Sequence, residues 1–371
     1  MICRTEDLKQ ISTILLSAVD ISDISKITDN LELKVENEVL NLSVTNGEYY
    51  VNTKLPIYED INFHATVNAS IFLKLLTKIT TEVIEFRVEN NSLIIIGNGE
   101  YKIPLIYNGD KLLTLPEINI DNITTTFNIK SDILKSILYY NSKELHKKNI
   151  VSNPVQKLYY IDENGAITFT SGACVNVFKL DKPVKMLLSP KIVNLFKLFD
   201  SDEIVFKMGK DIGPDGSSIQ TKISFSSEFL IISAIISAND TLVNTVPVKS
   251  IRDRAFNVYP CSVVLNRLEI LQAIDRLLLF YNDASQPFAN LDFNSKSLYI
   301  KSLNDEVSEK VLCSNSFGLD NNYKACIDLN DLKIILNSYT DSHVTLNFGD
   351  HIAFVVIKPN IYSVLPEAVL Q

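Results

Sequence analysis

Apolar residues recur along the chain in two alternating rhythms. The first is helical. Ile71, Phe72, Leu75, Leu76 and Ile79 fall on one face of segment 70–79, while Lys74 and Lys78 share another at a spacing of four. The second has a period of two and follows at once: segments 83–88, 92–96 and 100–106 read as strands, with Asn90-Asn91 marking the first turn. The same order returns from residue 189. Ser189-Pro190 supplies a cap followed by proline at a helix start, Ile192, Val193, Leu195, Phe196 and Phe199 follow, and 203–208, 219–225 and 229–236 read as strands. A third copy begins near 330, with a helix at 331–339 and strands at 344–348 and 352–357.

Each copy is preceded by a longer helical segment. The first spans 6–19 (Leu8, Ile11, Ile14, Leu15, Ala18). The second starts at Ser131 (Ile133, Leu134, Ile137, Leu138), and the third near Arg267 (Ile270, Leu271, Ile274, Leu277, Leu278). Strand segments 40–47 and 166–172 lie between opening and second helices in units one and two, and both end in Thr-(Asn/Ser)-Gly. The spacing predicts an α+β fold of three repeated domains, 1–122, 123–246 and 247–371, each ordered helix, strands, helix, strands. Domain size alone, at about 150 residues each, allows two or three in 371 residues.

The chemistry of the chain is sparse. No phosphate-binding glycine loop, HExxH, GxSxG or calcium loop occurs, and Gly97-Asn98-Gly99 and 211–216 read as hairpin turns. Cys3, Cys174, Cys261, Cys313 and Cys326 form no CxxC pair, and His64, His146, His343 and His351 have no second ligand at a metal-binding spacing. No metal, cofactor or catalytic set is expected, and the chain reads as a non-enzyme. Its start lacks a basic and apolar signal peptide. Its longest apolar stretch, 229–236, has eight residues, against about 20 for a membrane helix. A soluble, cytoplasmic protein is the expectation.

Charge separates along the same pattern. The net charge is −9, yet the six helical segments (6–19, 70–80, 131–148, 189–199, 267–281, 331–339) together carry +5 and the remainder −14. Bulk charge excludes a protein that coats nucleic acid. A basic set of helix faces suits a local polyanion contact.

Three such units in a chain of this length resemble the bacterial DNA polymerase III β subunit, the sliding clamp. The resemblance covers the whole chain. It is carried by 66–76 with its following strands, by 326–336 and by the tail 361–366, which ends in Leu365-Pro366. It implies a head-to-tail ring dimer encircling double-stranded DNA without sequence preference. It further implies tethering of a replicative DNA polymerase and a clamp loader, with no cofactor and no membrane partner. Implied DNA-facing residues are Lys74, Lys78, Lys135, Lys147, Lys148, Lys191, Lys197, Arg267, Arg276 and Lys333. The implied dimer interface brings Tyr101 and Ile103 against Leu279 and Phe280. The implied partner-peptide pocket has walls from Val155, Thr170, Gly172, Val175, Val258, Ser363, Leu365 and Pro366. Here the chain departs from the family: Thr170-Ser-Gly-Ala-Cys-Val175 replaces Thr-Asp-Gly-His-Arg-Leu, and Glu367 stands where methionine is common. The tail is expected to be removable from residue 364 without opening the core. An α+β repeat protein of a virion and an enzyme of scattered carboxylates are the other classes open to the sequence.

Overall fold

Most helices in this chain are launched by a strand. The computed structural model describes residues 1–20, 27–57, 59, 61–145, 153–212, 218–236, 240–281, 286–304, 306–319, 323–349 and 353–367. Helix α1 (Thr5–Leu16) follows strand Ile2–Arg4, α2 (Ala69–Leu76) follows His64–Asn68, and α3 (131–145) follows Ile123–Lys130. Helix α4 (190–198) follows Lys185–Leu188 after one residue. Helix α6 (Arg267–Leu278) follows Cys261–Asn266, and α7 (Leu329–Asn337) follows Tyr323–Asp328. At three junctions the last strand residue is also the cap. The side chain of Asn68 accepts from the Ile71 amide (2.9 Å), and Asn266 accepts from Leu268 and Glu269 (3.0 and 3.2 Å). Asp328 accepts from Asn330 and Asp331 (2.8 and 3.4 Å). Each cap satisfies amides that the first helical turn leaves without a partner.

The chain divides into two compact units, 1–132 with 194–238, and 133–193 with 239–371. In the first, eight antiparallel strands run in the order Ile123–Lys130, Glu203–Ile212, Ser218–Ser226, Leu230–Ile236, Tyr49–Pro56, Val39–Thr45, Asn30–Glu36, His64–Asn68. A second sheet orders Ile2–Arg4, Val83–Glu89, Ser92–Ile96 and Glu100–Pro104. Asn90 and Asn91 both have positive φ (48° and 59°), which matches the twist of their hairpin. The buried stripe of α1 (Leu8, Ile11, Leu15) and that of α2 (Phe72, Leu73, Leu76) pack together.

In the second unit twelve strands form one antiparallel succession. Its order is Lys185–Leu188, Tyr159–Asp162, Gly165–Phe169, Ala173–Val177, Ile361–Pro366, Ala353–Lys358, His343–Phe348, Cys261–Asn266, Ser308–Phe317, Ser297–Ser302, Phe288–Phe293, Tyr323–Asp328. Its core gathers Val263, Ile270, Ile274, Leu277, Leu291, Phe293, Leu332, Leu336, Phe348 and Leu365. The whole is a sheet-rich α+β fold.

Three elements differ from the sequence-based expectation. Helix α5 (Val248–Ala255) lies where none is expected. Helix α3 is composite: α-helical at Ser131–Ser136, π-helical at Ile137–Asn141 and α-helical again at Ser142–Leu145. The extra residue in the π turn is held by Asn141, which is fully buried and donates to Ala166 O, Thr168 Oγ1 and Cys174 O (3.4, 3.4 and 3.2 Å). Helix α4 finishes as a 3-10 turn, Leu195–Leu198.

Candidate partner groove and basic surface

Helix α5 creates a groove that its absence would leave as bare sheet. It packs on strands Ala173–Val177 and Ile361–Pro366, burying Ile251 and Ala255. Arg252 pins its side to a neighbouring strand by donating Nη2 to Asp162 at 2.7 Å. The Asp162 carboxylate also accepts from the Tyr160 hydroxyl at 3.3 Å. Burial, with this carboxylate adding to it, pushes the Tyr160 phenol up to about 12.

Between α5 and the 169–173 turn lies a cavity of about 230 Å³, closed by Pro247, Ser250, Ile251, Arg254, Val364 and Pro366. The turn is rigidly held. Thr170 donates through its amide (3.2 Å) and its hydroxyl (2.6 Å) to Glu144 of α3, whose carboxylate is buried, and its carbonyl accepts from Gln156 Nε2 at 3.0 Å. On the other flank of α5 an open cleft of about 1550 Å³ shares Pro247, Ser250, Arg254 and Pro366 with the groove. Asp162, Lys185, Lys249 and Glu367 add mixed charge there, beside the Tyr259 phenol.

Of the eight residues expected to wall a pocket, Thr170, Gly172 and Pro366 line this groove. Val155, Val175, Ser363 and Leu365 are buried away from its lining, and Val258 stands 91% exposed off it. Alternation along Ile361–Pro366 explains the tail. Val364 and Pro366 face the groove, whereas Leu365 points into the core cluster. A cut at residue 364 therefore removes a core side chain, Leu365, along with Val364 and Pro366 of the groove. Sequence reasoning missed Pro247, Ser250, Ile251 and Arg254. Their signal was present in the proline before the helix and in Ile251 and Ala255 at a spacing of four.

The basic residues fall into two groups. Lys74 on α2, Lys78 just past its end, and Lys191 and Lys197 on α4 are exposed, while Lys135 on α3 is half-buried. The cations of α6 and α7 are engaged: Arg267 Nε donates to Asp341 O (2.8 Å), Lys333 pairs with Asp275 (2.6 Å), and Arg276 forks onto both Glu309 oxygens at 2.7 Å. The fork holds the Glu309 carboxyl below the usual carboxylate range and raises the Arg276 guanidinium. Lys147 and Lys148 lie outside the described residues.

Exposed large apolar residues are scattered along the chain, from Ile2 and Ile71 to Phe317 and Ile357. Leu279 and Phe280, just past α6, are 82% and 68% exposed. Strand Glu100–Pro104 is the outer strand of its sheet. Tyr101 there is half-buried, and Ile103 is packed inside its own unit. Among the described residues no three His, Cys, Asp or Glu side chains converge as metal ligands, and His64 faces Glu32 at 2.7 Å. No helix among them is long and apolar enough to cross a membrane.

No protein-family model and no curated protein matches the chain. Solved structures do. The β subunit of DNA polymerase III from Pseudomonas aeruginosa matches with a TM-score of 0.81 at 13% identity, over 100% of both chains. The β subunit of the Streptococcus pyogenes DNA polymerase matches at 0.81 and 15% identity, and the DNA polymerase sliding clamp from Bacillus subtilis at 0.78 and 15%. Each covers 100% of this chain and 99% of its own. The chain has the sliding-clamp fold. At these identities the likeness is one of architecture.

Proposed function

We propose that the chain works as a sliding clamp. In this reading it has three domains, 1–122, 123–246 and 247–371. Two copies close head to tail into a ring around duplex DNA and tether the replicative polymerase and its loader. The observation that carries the reading is the match to clamp structures over the full length of the chain, with TM-scores of 0.78 to 0.81. The chain itself performs no chemistry in this role. Its grip is topological, so exposed cations such as Lys74, Lys78 and Lys197 suffice to meet phosphates while the ring slides. Leu279 and Phe280, exposed in the protomer, supply apolar surface for the partner copy. The groove of Thr170, Pro247, Ile251, Val364 and Pro366 takes a short linear peptide from polymerase or loader. Its walls mix apolar Pro247, Ile251, Val364 and Pro366 with polar Thr170, Ser250 and Arg254.

The test is retention. Protein loaded onto nicked circular DNA is expected to persist after dilution into salt, and to be lost once the circle is cut open. Equal loss from circular and linear DNA refutes the topological mechanism.

A further inference from the structure

Helix α3 carries a feature that duplex encirclement does not use. Its π turn presents Tyr139 and Tyr140 in succession. Tyr139 is 44% exposed and Tyr140 half-buried, their rings 4.9 Å apart and nearly perpendicular (88°). Each ring has its own ammonium: Lys143 Nζ lies 5.3 Å from the Tyr139 centroid and Lys358 Nζ 5.3 Å from that of Tyr140. Lys135 precedes Tyr139 by one turn of the same helix. Glu144 is turned inward onto Thr170 and leaves Lys143 to the Tyr139 ring, whereas Lys358 bonds to Tyr140 and also pairs with Asp341 at 3.8 Å. The backbone beneath is fixed, because buried Asn141 donates to three acceptors and its carbonyl accepts from Thr168 Oγ1 at 2.8 Å. Ser136 at the preceding turn accepts from Asn176. A π turn costs regular helix bonding and is often found at functional positions.

We propose that Tyr139 and Tyr140, with Lys143 and Lys358, bind single-stranded nucleic acid by stacking unpaired bases. Three chemical matches select this occupant. Aromatic rings beside ammonium groups complement a base joined to a phosphate. Rings at right angles fit bases splayed apart, whereas the bases of a duplex are stacked on each other and hidden from a side chain. The surrounding cations complement a polyanion and oppose a basic partner. The proposal extends the clamp reading from duplex to single strand, and its test requires no closed ring.

Fluorescence anisotropy with oligo(dT), oligo(U) and a duplex of about 20 units at low salt provides the measurement. The full-length protein is expected to bind the single strands, with the tighter of dT and U identifying the polymer. The Tyr139→Ala/Tyr140→Ala variant is expected to bind them about 10-fold more weakly, with duplex binding and retention on circular DNA unchanged. Tyr139→Phe/Tyr140→Phe keeps the rings and is expected to bind as the parent does. Should the alanine variant fold poorly, photo-crosslinking of iodouridine oligonucleotides to the parent protein, followed by peptide mapping, reports directly. Crosslinks at Tyr139 or Tyr140 support the site. No single-strand binding, undiminished binding by a folded alanine variant, or crosslinks only elsewhere overturns it. Failure of circular retention with single-strand binding intact refutes the ring and leaves this site standing.

Discussion

Arg276 shows how a residue can be legible by type while its partner is not. Its place on α6 and its charge were legible in the sequence. Its partner Glu309, 33 residues away, was not, because no local pattern encodes which carboxylate a long side chain will meet. The pair is exposed, so it adds little to stability. Its larger effect is to occupy the fork that a phosphate would use. Glu309→Gln is therefore expected to strengthen duplex binding a few-fold and to steepen its salt dependence by about one phosphate contact, as read by anisotropy across a salt series. The same logic sets a pH dependence. The folded pKa of Glu309 lies below its usual 4.5, so the pair is fully present above that value and is lost as pH falls through the lowered one. DNA affinity of the parent should rise in that acid window, while Glu309→Gln lacks this component. Asn141 was invisible for the opposite reason. A polar residue within an apolar helical stretch gives no sign that its amide will hold three buried acceptors. Asn141→Ala is expected to cost about 1–3 kcal/mol in chemical denaturation.

Elements with strong apolar periodicity were readable, and those whose burial is slight were not. Helices α1, α2, α6 and α7 each bury a stripe of three or more apolar residues, and the sequence located them within a few positions. Helix α5 buries only Ile251 and Ala255, too few to set a rhythm, yet it builds one wall of the groove. The tail strand was found, but its facing was not, since one residue of register exchanges groove for core. Two substitutions separate those roles. Leu365→Ala is expected to lower stability by about 2–5 kcal/mol, as a truncated core leucine does. Pro366→Asp is expected to leave the melting temperature near that of the parent and to abolish capture of a polymerase or loader peptide in a pull-down. Equal peptide binding by Pro366→Asp would remove the groove from the proposed mechanism.

For the molecule as a whole, the threefold succession of helices and strands was legible because each copy repeats its own local signals. The grouping of segments 1–132 and 194–238 was not, because it depends on the pairing of Leu230–Ile236 with Tyr49–Pro56. Assembly gives the measurement at this scale. Leu279→Asp with Phe280→Asp is expected to yield a folded monomer by sedimentation, since neither side chain contributes to the protomer core. Global unfolding of that variant would show these residues to be structural. The long-range pairing also governs how the protein is made. Strand Tyr49–Pro56 leaves the ribosome about 180 residues ahead of the partner that covers its edge, a wait of roughly 10–40 s at 5–20 residues per second. During synthesis that edge is open to any other strand nearby. Nascent chains stalled before residue 230 should thus depend on a chaperone that shields an unpaired edge, and the demand should end once Leu230–Ile236 has emerged.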